Sequence, residues 1–240
     1  DRIVSTVRPP MIPIFIGYDP RERAATNVLI DSLYQHSSVP LRITPLVTPQ
    51  LEAQGLYQRP RDPKQSTAFS FTRFLVPHLM GYDGWALFMD CDMLCRGDIL
   101  ALWEQRDDRF AAMCVQHEHV PGESVKFLGE VQSAYPKKNW SSLMLLNCNR
   151  CTKLTVEYVN SATGLELHRF HWLDGDHEIG AIQGPWNHLV DVQAPPQEGD
   201  EPQLLHWTLG GPWFREQRTM GGPLAAEWFS ARDDAMKLWD

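Results

Sequence analysis

No run of eighteen apolar residues occurs in this chain, so no helix built from it has the length and hydropathy to span a bilayer. No signal-peptide pattern opens it. A disulfide framework is missing too. Cys91, Cys95, Cys114, Cys148 and Cys151 are an odd set at irregular spacing, unlike the even, regular set of a stapled secreted domain. The expectation is reduced thiols and a cytoplasmic protein. Zinc at Cys148 and Cys151 would need two more ligands, for which Cys91 and Cys95 are the candidates; small buried thiols are the plainer reading. Positive charge is scarce, with 22 Lys and Arg against 30 Asp and Glu for a net −8. That excludes a broad nucleic-acid-binding face. An acidic chain that handles phosphates needs local positive charge, and a metal ion is one source. Internal repeats and low-complexity segments are also absent.

What is present is ordinary in bulk: 43% apolar and 22% charged residues over 240 positions, enough for one large domain or two small ones. The chain begins at Asp1 rather than Met, which raises the expectation of a piece of a longer multidomain protein. Residues 1–10 read as a lead-in, and 216–240 as a C-terminal helical segment ending in an amphipathic helix from residue 224.

The chain is organised around WALFMDCDML at 85–94. Its apolar run reads as a strand buried on both faces, and it releases Asp90 and Asp92 one residue apart. Open α/β sheets bind ligands beyond the carboxyl ends of their strands. Two carboxylates there suit a divalent cation that grips a diphosphate.

Other polar residues leave apolar strands in the same way. Ile12 to Ile16 is a first strand, and Gly17-Tyr18-Asp19 follows it. Tyr18 has a face to stack on a nucleobase; Asp19 would accept from a ring N–H or cap the next helix. That helix runs over residues 21–36, followed by a short strand at 41–46. Residues 48–66 read as an irregular flap. A second helix is expected over 66–75, carrying Arg73 among apolar residues. This cation would pair with an acid, face a phosphate, or lie at the surface. A strand at 110–115 delivers Gln116, His117, Glu118 and His119 as substrate contacts, metal ligands or solvated loop. Asn139, Trp140, Ser141 and Ser142 precede the buried strand 143–147 and offer amide, hydroxyl and flat apolar partners for a sugar. Asp174, Asp176 and Glu178 lie within the densest polar cluster. His206, leaving a short strand before Gly210 and Gly211, is the candidate third metal ligand, with a hydrogen-bonded core histidine as the alternative.

Taken in order, FIGYD, TRF, FMDCD, NWSS and HWTLGGPW resemble the GT-A glycosyltransferases, within them the family-8-like enzymes, including a chlorovirus glycosyltransferase domain and related bacterial proteins. The resemblance covers roughly residues 11–215. It implies an α/β fold: one Rossmann-like GT-A domain over 1–240, with a mixed, mainly parallel central sheet flanked by helices. It implies a hexosyltransferase using Mn²⁺ or Mg²⁺ on Asp90, Asp92 and His206. A nucleotide-sugar donor, UDP-linked by preference, would contact Gly17, Tyr18, Asp19, Arg73, Asp90, Asn139, Ser141, Ser142, Gly210 and Gly211. The acceptor would be a glycan or a small hydroxyl compound. Family-8 enzymes usually carry Lys before the Pro-Trp pair; here that position is Gly211, which leaves more leaving-group charge to the metal, Lys64 or Arg215. Retention is the implied outcome, with the leaving phosphate taking the proton. An inverting enzyme would instead need Asp174, Asp176 or Glu178 as its base. The competing classes are a carbohydrate-binding or inactive glycosyltransferase-like module, and a phosphatase with a nucleophilic aspartate in DxD.

Overall fold

The computed structural model describes residues 11–61, 65–118, 125–127, 130–132 and 136–237. The lead-in 1–10, Lys64, His119 and the last three residues of the expected final helix lie outside them. The strands, in chain order, are β1 Ile12–Gly17, β2 Leu41–Leu46, β3 Trp85–Met89, β4 Met93–Cys95, β5 Ala112–Cys114, β6 Val125–Phe127, β7 Glu130–Gln132, β8 Leu143–Asn147, β9 Ile179–Ala181, β10 His188–Leu189 and β11 Leu204–His206. The helices are α1 Arg23–His36, α2 Thr48–Ala53, α3 Val76–Leu79, α4 Ile99–Trp103, α5 Val156–Ser161, α6 Gly164–His168 and α7 Pro223–Ala235.

Six strands form the central sheet in the order β2-β1-β3-β8-β5-β9. Pairings β1/β2, β1/β3 and β5/β9 are parallel; β8 runs antiparallel to both β3 and β5. This is the expected mixed, mainly parallel α/β sheet. All six residues of β1 and all five of β8 are buried, as strands covered on both faces require. Pro13 is tolerated because it lies one residue before the pairing with β3 begins at Ile14. A second sheet, β10-β11-β4, stands beside the first.

The main core joins the central sheet to Leu29, Leu33, Phe74 and Trp172. A smaller core holds Val28, Leu94, Leu205, Trp207 and Trp228, so α7 packs against α1 and the small sheet. Burying each such aliphatic side chain contributes about 1.5–3 kcal/mol.

Two stretches differ from expectation. The flap begins as α2, because Pro49 sits at the first helical turn, where a missing N–H costs nothing. The expected helix over 66–75 is instead a set of turns, a 3-10 segment Thr72–Leu75 and then α3. Its run of Ser, Thr and Phe is poor helix material, and the turns let Arg73 point inward.

Candidate metal and donor site

Asp90 and Asp92 occupy the corner where the chain passes from one sheet to the other. Asp90 N–H donates to Ser142 O at 2.9 Å, extending the β3/β8 ladder by one residue. Trp207 N–H donates to Asp92 O at 2.9 Å, extending the β4/β11 ladder in the same way. Cys91 lies fully buried between them. In the β4/β11 register His206 faces Met93, which brings the imidazole over the corner. One ligand atom from each of Asp90, Asp92 and His206 falls within 4.8 Å of the others.

The donor set fits a hard dication. His206 Nε2 stands 3.2 Å from Asp92 Oδ1 and 3.9 Å from Asp90 Oδ2. Buried Asp90 Oδ1 and Asp92 Oδ1 have no hydrogen bond. Arg73 Nη1 approaches Asp90 Oδ1 to 3.0 Å, a charge contact without hydrogen-bond alignment. Buried carboxylate oxygens that lack a hydrogen bond are costly, and a cation among them would offset that cost. Burial pushes the Asp90 carboxyl up to about 7; Arg73 opposes the shift and the Asp92 charge adds to it. Burial alone would lower His206, but Asp92 and Asp90 outweigh it and raise the imidazole. Two carboxylates and one imidazole suit Mn²⁺ better than Mg²⁺.

Arg73 is a buried structural cation. Its Nη1 donates to Ser141 O at 2.8 Å, and the guanidinium stands 5.0 Å from the Phe88 ring centroid. Asp19 is likewise committed. Its oxygens accept from Arg21 N at 2.9 Å, Arg21 Nη2 at 2.8 Å and Ala68 N at 3.0 Å, so it caps the 3-10 turn before α1. Tyr18 is half-buried beside it. Gly17 is needed for close approach, since a Cβ there would lie 2.4 Å from Phe69 Cδ2.

The NWSS turn borders the corner, yet its hydroxyls face inward. Ser141 Oγ lies 2.8 Å from His168 Nδ1, and Ser142 Oγ donates to Asn139 O at 2.6 Å. Asn139 adopts a left-handed backbone, and its Oδ1 accepts from Thr208 Oγ1 at 3.3 Å. These groups brace the wall of the site; the sequence had suggested sugar hydroxyls as their partners. Among the described residues the buried Nε2 of His117 has no hydrogen-bond partner, and burial together with His206 lowers its imidazole to about 4.

Gly210 has φ +92, and Gly211 lies directly against Trp213: a Cβ on Gly211 would lie 2.3 Å from the indole ring. The ring therefore fills the place from which the usual Lys would extend. Trp213 Nε1 donates to Glu22 Oε2 at 3.1 Å. Glu22 is buried, its Oε1 lacks a partner, and burial with the nearby Asp92, Asp19 and Asp90 raises its carboxyl well above the usual range. Sequence reasoning missed Glu22 and also Asn187, a buried amide 2.9 Å from His206 Nδ1. The only signal for Glu22 was an acid directly after GYDPR.

Asp174, Asp176 and Glu178 sit in the turns that lead into β9. Parallel pairing sets Ile179 against Ala112, and through β8 that level corresponds to Ala86 at the start of β3. Glu178 therefore lies at the sheet end opposite Asp90, bound to Arg150 at 3.1 Å and to Asp174 N at 2.8 Å. Asp174 pairs with Lys153 and Asp176 with Lys137, with side chains 73% and 77% exposed. The structure does not bring them to the Asp90–Asp92–His206 corner. A cavity of about 710 Å³, lined by Arg96, His188, Asp191, Glu201 and Leu224, also excludes the three ligands from its wall. All five cysteines are buried and unpaired, and no described helix is long and apolar enough to cross a membrane.

No protein-family model matches the chain. Among solved structures it resembles galactosyltransferase LgtC, crystallised with donor and acceptor sugar analogues, with TM-score 0.60, 10% identity and 95% and 98% of the two chains covered. It resembles the bifunctional WbbM with TM-score 0.60 and 14% identity, spanning 94% of this chain and 50% of that one. The third likeness is GlyE of Streptococcus pneumoniae, with TM-score 0.59, 13% identity and 96% and 61% coverage. The shared fold is the GT-A glycosyltransferase fold, here with a six-stranded central sheet. A curated relative is 48% identical over 207 residues, covering 84% of this chain and 79% of its own length. The chain therefore belongs to the family of Protein CDI from Arabidopsis thaliana.

Proposed function

We propose that this protein is a metal-dependent glycosyltransferase that moves a hexosyl group from a UDP-sugar to a hydroxyl acceptor with retention. The observation that carries the reading is the convergence of Asp90, Asp92 and His206, with buried carboxylate oxygens that lack a hydrogen bond, at a strand end of a GT-A fold. Transfer breaks the bond between the anomeric carbon and the diphosphate, and negative charge builds on the leaving oxygens. A dication held by these three residues supplies charge stabilisation for that leaving group. Asp90, just past β3, and Asp92, just before β4, would hold the cation together with His206. Arg73 opposes the upward shift that burial imposes on the Asp90 carboxyl and orients it. Tyr18 offers a face to the nucleobase. Gly210 lets the backbone approach the diphosphate, and exposed Arg215, in the turn after GGPW, adds charge where Lys is missing. The leaving phosphate takes the acceptor proton, in keeping with the absence of Asp174, Asp176 and Glu178 from the corner.

The test is nucleotide release and thermal shift with a panel of UDP- and GDP-sugars, with and without Mn²⁺. UDP with Mn²⁺ at 100 times its dissociation constant should stabilise the fold by about 2.7 kcal/mol. Asp92→Asn should remove the metal-dependent part of the shift and the release of UDP. A wild-type protein that neither shifts nor releases nucleotide with any donor overturns the reading.

A further inference from the structure

We propose that Asn187 is a positioning residue that fixes the His206 ring as its Nδ1–H tautomer, keeping the Nε2 lone pair turned toward Asp90 and Asp92. The inference deepens the metal-site reading above and rests on it. It follows from a hydrogen-bond relay whose far end is a backbone carbonyl.

Ser142 Oγ lies 2.6 Å from Asn139 O. A carbonyl oxygen only accepts, so the serine hydroxyl spends its one proton there. Ser142 Oγ can then only accept from Asn187, whose Nδ2 stands 2.9 Å away. A flipped amide would set two acceptors against each other. Asn187 Oδ1 is therefore the atom facing His206 Nδ1 at 2.9 Å, and an amide oxygen demands a proton on that nitrogen. With Nδ1 protonated, the neutral ring has its lone pair on Nε2, 3.2 Å from Asp92 Oδ1. The opposite tautomer would place an N–H in the cleft, donate it to Asp92 and close the ligand position.

Three features make this relay hard to replace. Ser142, Asn187 and His206 are 3%, 3% and 1% exposed, so the relay is shielded from bulk solvent. The two-residue strand β10 begins directly after Asn187 and pairs His188 with Leu205 and Leu189 with His206, so Asn187 falls at the level of Leu204, on the same face of the small sheet as His206 and two places before it, and its amide reaches diagonally to the ring. The relay also ends on Asn139, which Thr208 binds from the loop that follows His206. Imidazole ligands characteristically donate their second nitrogen to a fixed acceptor, and losing that acceptor weakens metal binding by about 10- to 100-fold.

The test is Mn²⁺ affinity of the full chain by electron paramagnetic resonance titration, beside urea unfolding in EDTA. Asn187→Leu keeps the volume and deletes the acceptor, and should weaken Mn²⁺ by about 10- to 100-fold. Asn187→Asp keeps an acceptor against Nδ1 and should stay much nearer wild type. Ser142→Ala frees the amide to turn and should weaken Mn²⁺ several-fold; it carries the test if the leucine variant does not fold. Wild-type-like Mn²⁺ affinity in Asn187→Leu, or in Ser142→Ala where the leucine variant is lost, refutes the proposal. So does equal weakening by Asn187→Leu and Asn187→Asp, which marks a purely structural amide. Wild type that binds no Mn²⁺ refutes the metal-site reading itself, a separate and recognisable outcome.

Discussion

Arg73→Met tests the electrostatics of the corner directly. Arg73 and Asp90 have side chains only 6% and 12% exposed, with Nη1 and Oδ1 3.0 Å apart. Removing the cation leaves Asp90 buried without its partner, which costs about 3–5 kcal/mol. The same change orphans Ser141 O, which now accepts from Nη1 at 2.8 Å, and about 1–3 kcal/mol of the loss belongs there. Adding Asp90→Asn to the variant removes the stranded charge and should return about 2–3 kcal/mol, leaving the carbonyl's share. Tryptophan-monitored urea unfolding in EDTA measures both steps. The pH dependence has a definite sign. The Asp90 carboxyl is already raised to about 7 in the folded protein, and losing Arg73 raises it further. A carboxyl raised on folding favours the folded state at low pH and destabilises it as pH climbs toward the folded value. Arg73→Met should therefore be less damaging at pH 6 than at pH 8. A double variant no more stable than Arg73→Met would refute the stranded-charge account.

Three further outcomes follow from the same geometry. His168 is half-buried as a residue, but its ring is enclosed by Phe71 and Phe74, with centroids 6.0 and 5.2 Å away, and burial with Arg73 lowers it to about 3. Its contribution is intact above the unfolded value near 6.5 and is lost as pH falls from there toward 3, at about 1.4 kcal/mol per pH unit; His168→Asn should flatten the stability profile between pH 7 and 5 by roughly 2 kcal/mol, and an unchanged slope rejects this origin. Gly211→Ala drives a Cβ to 2.3 Å from the Trp213 ring and should cost about 1–3 kcal/mol, with a shifted tryptophan emission; a change below about 0.5 kcal/mol would mean the indole moves freely. Gly210→Ala, at φ +92, should cost about 1–3 kcal/mol by thermal melting from backbone strain alone, and a neutral result would show that the loop relaxes.

The sequence and the structure agree where a short apolar run decides the matter. Strand β3 and its two carboxylates were legible because five apolar residues in a row can be only a buried strand or helix segment, and the flanking Gly84 favours the strand. His206 was legible for the same reason, following Leu204 and Leu205. Asp174, Asp176 and Glu178 drew attention by number, while their place depends on the register of β9 against β5, which pairs Ala112 with Ile179, 67 residues later, and which no local pattern encodes. Asn187 resembles an ordinary turn residue after Gly184 and Pro185, and its role appears only once β10 has paired with β11. Proline at the head of α2 was mistaken for a loop signal, although the first helical turn is the one place in a helix that accepts it.

Strand β8 has a consequence for how the protein assembles. The chain leaves β3, builds the small-sheet strand and α4, and lays down β5 one place away, so a slot one strand wide separates β3 from β5 until residue 143 arrives. A nascent chain lacking β8 would present two open, apolar strand edges, a hazard for aggregation. The strand that fills the slot is led by Ser142, whose carbonyl receives the Asp90 amide. Sealing the sheet and positioning the Asp90 carboxylate are thus one event, and no stage of folding offers a finished corner on an open sheet.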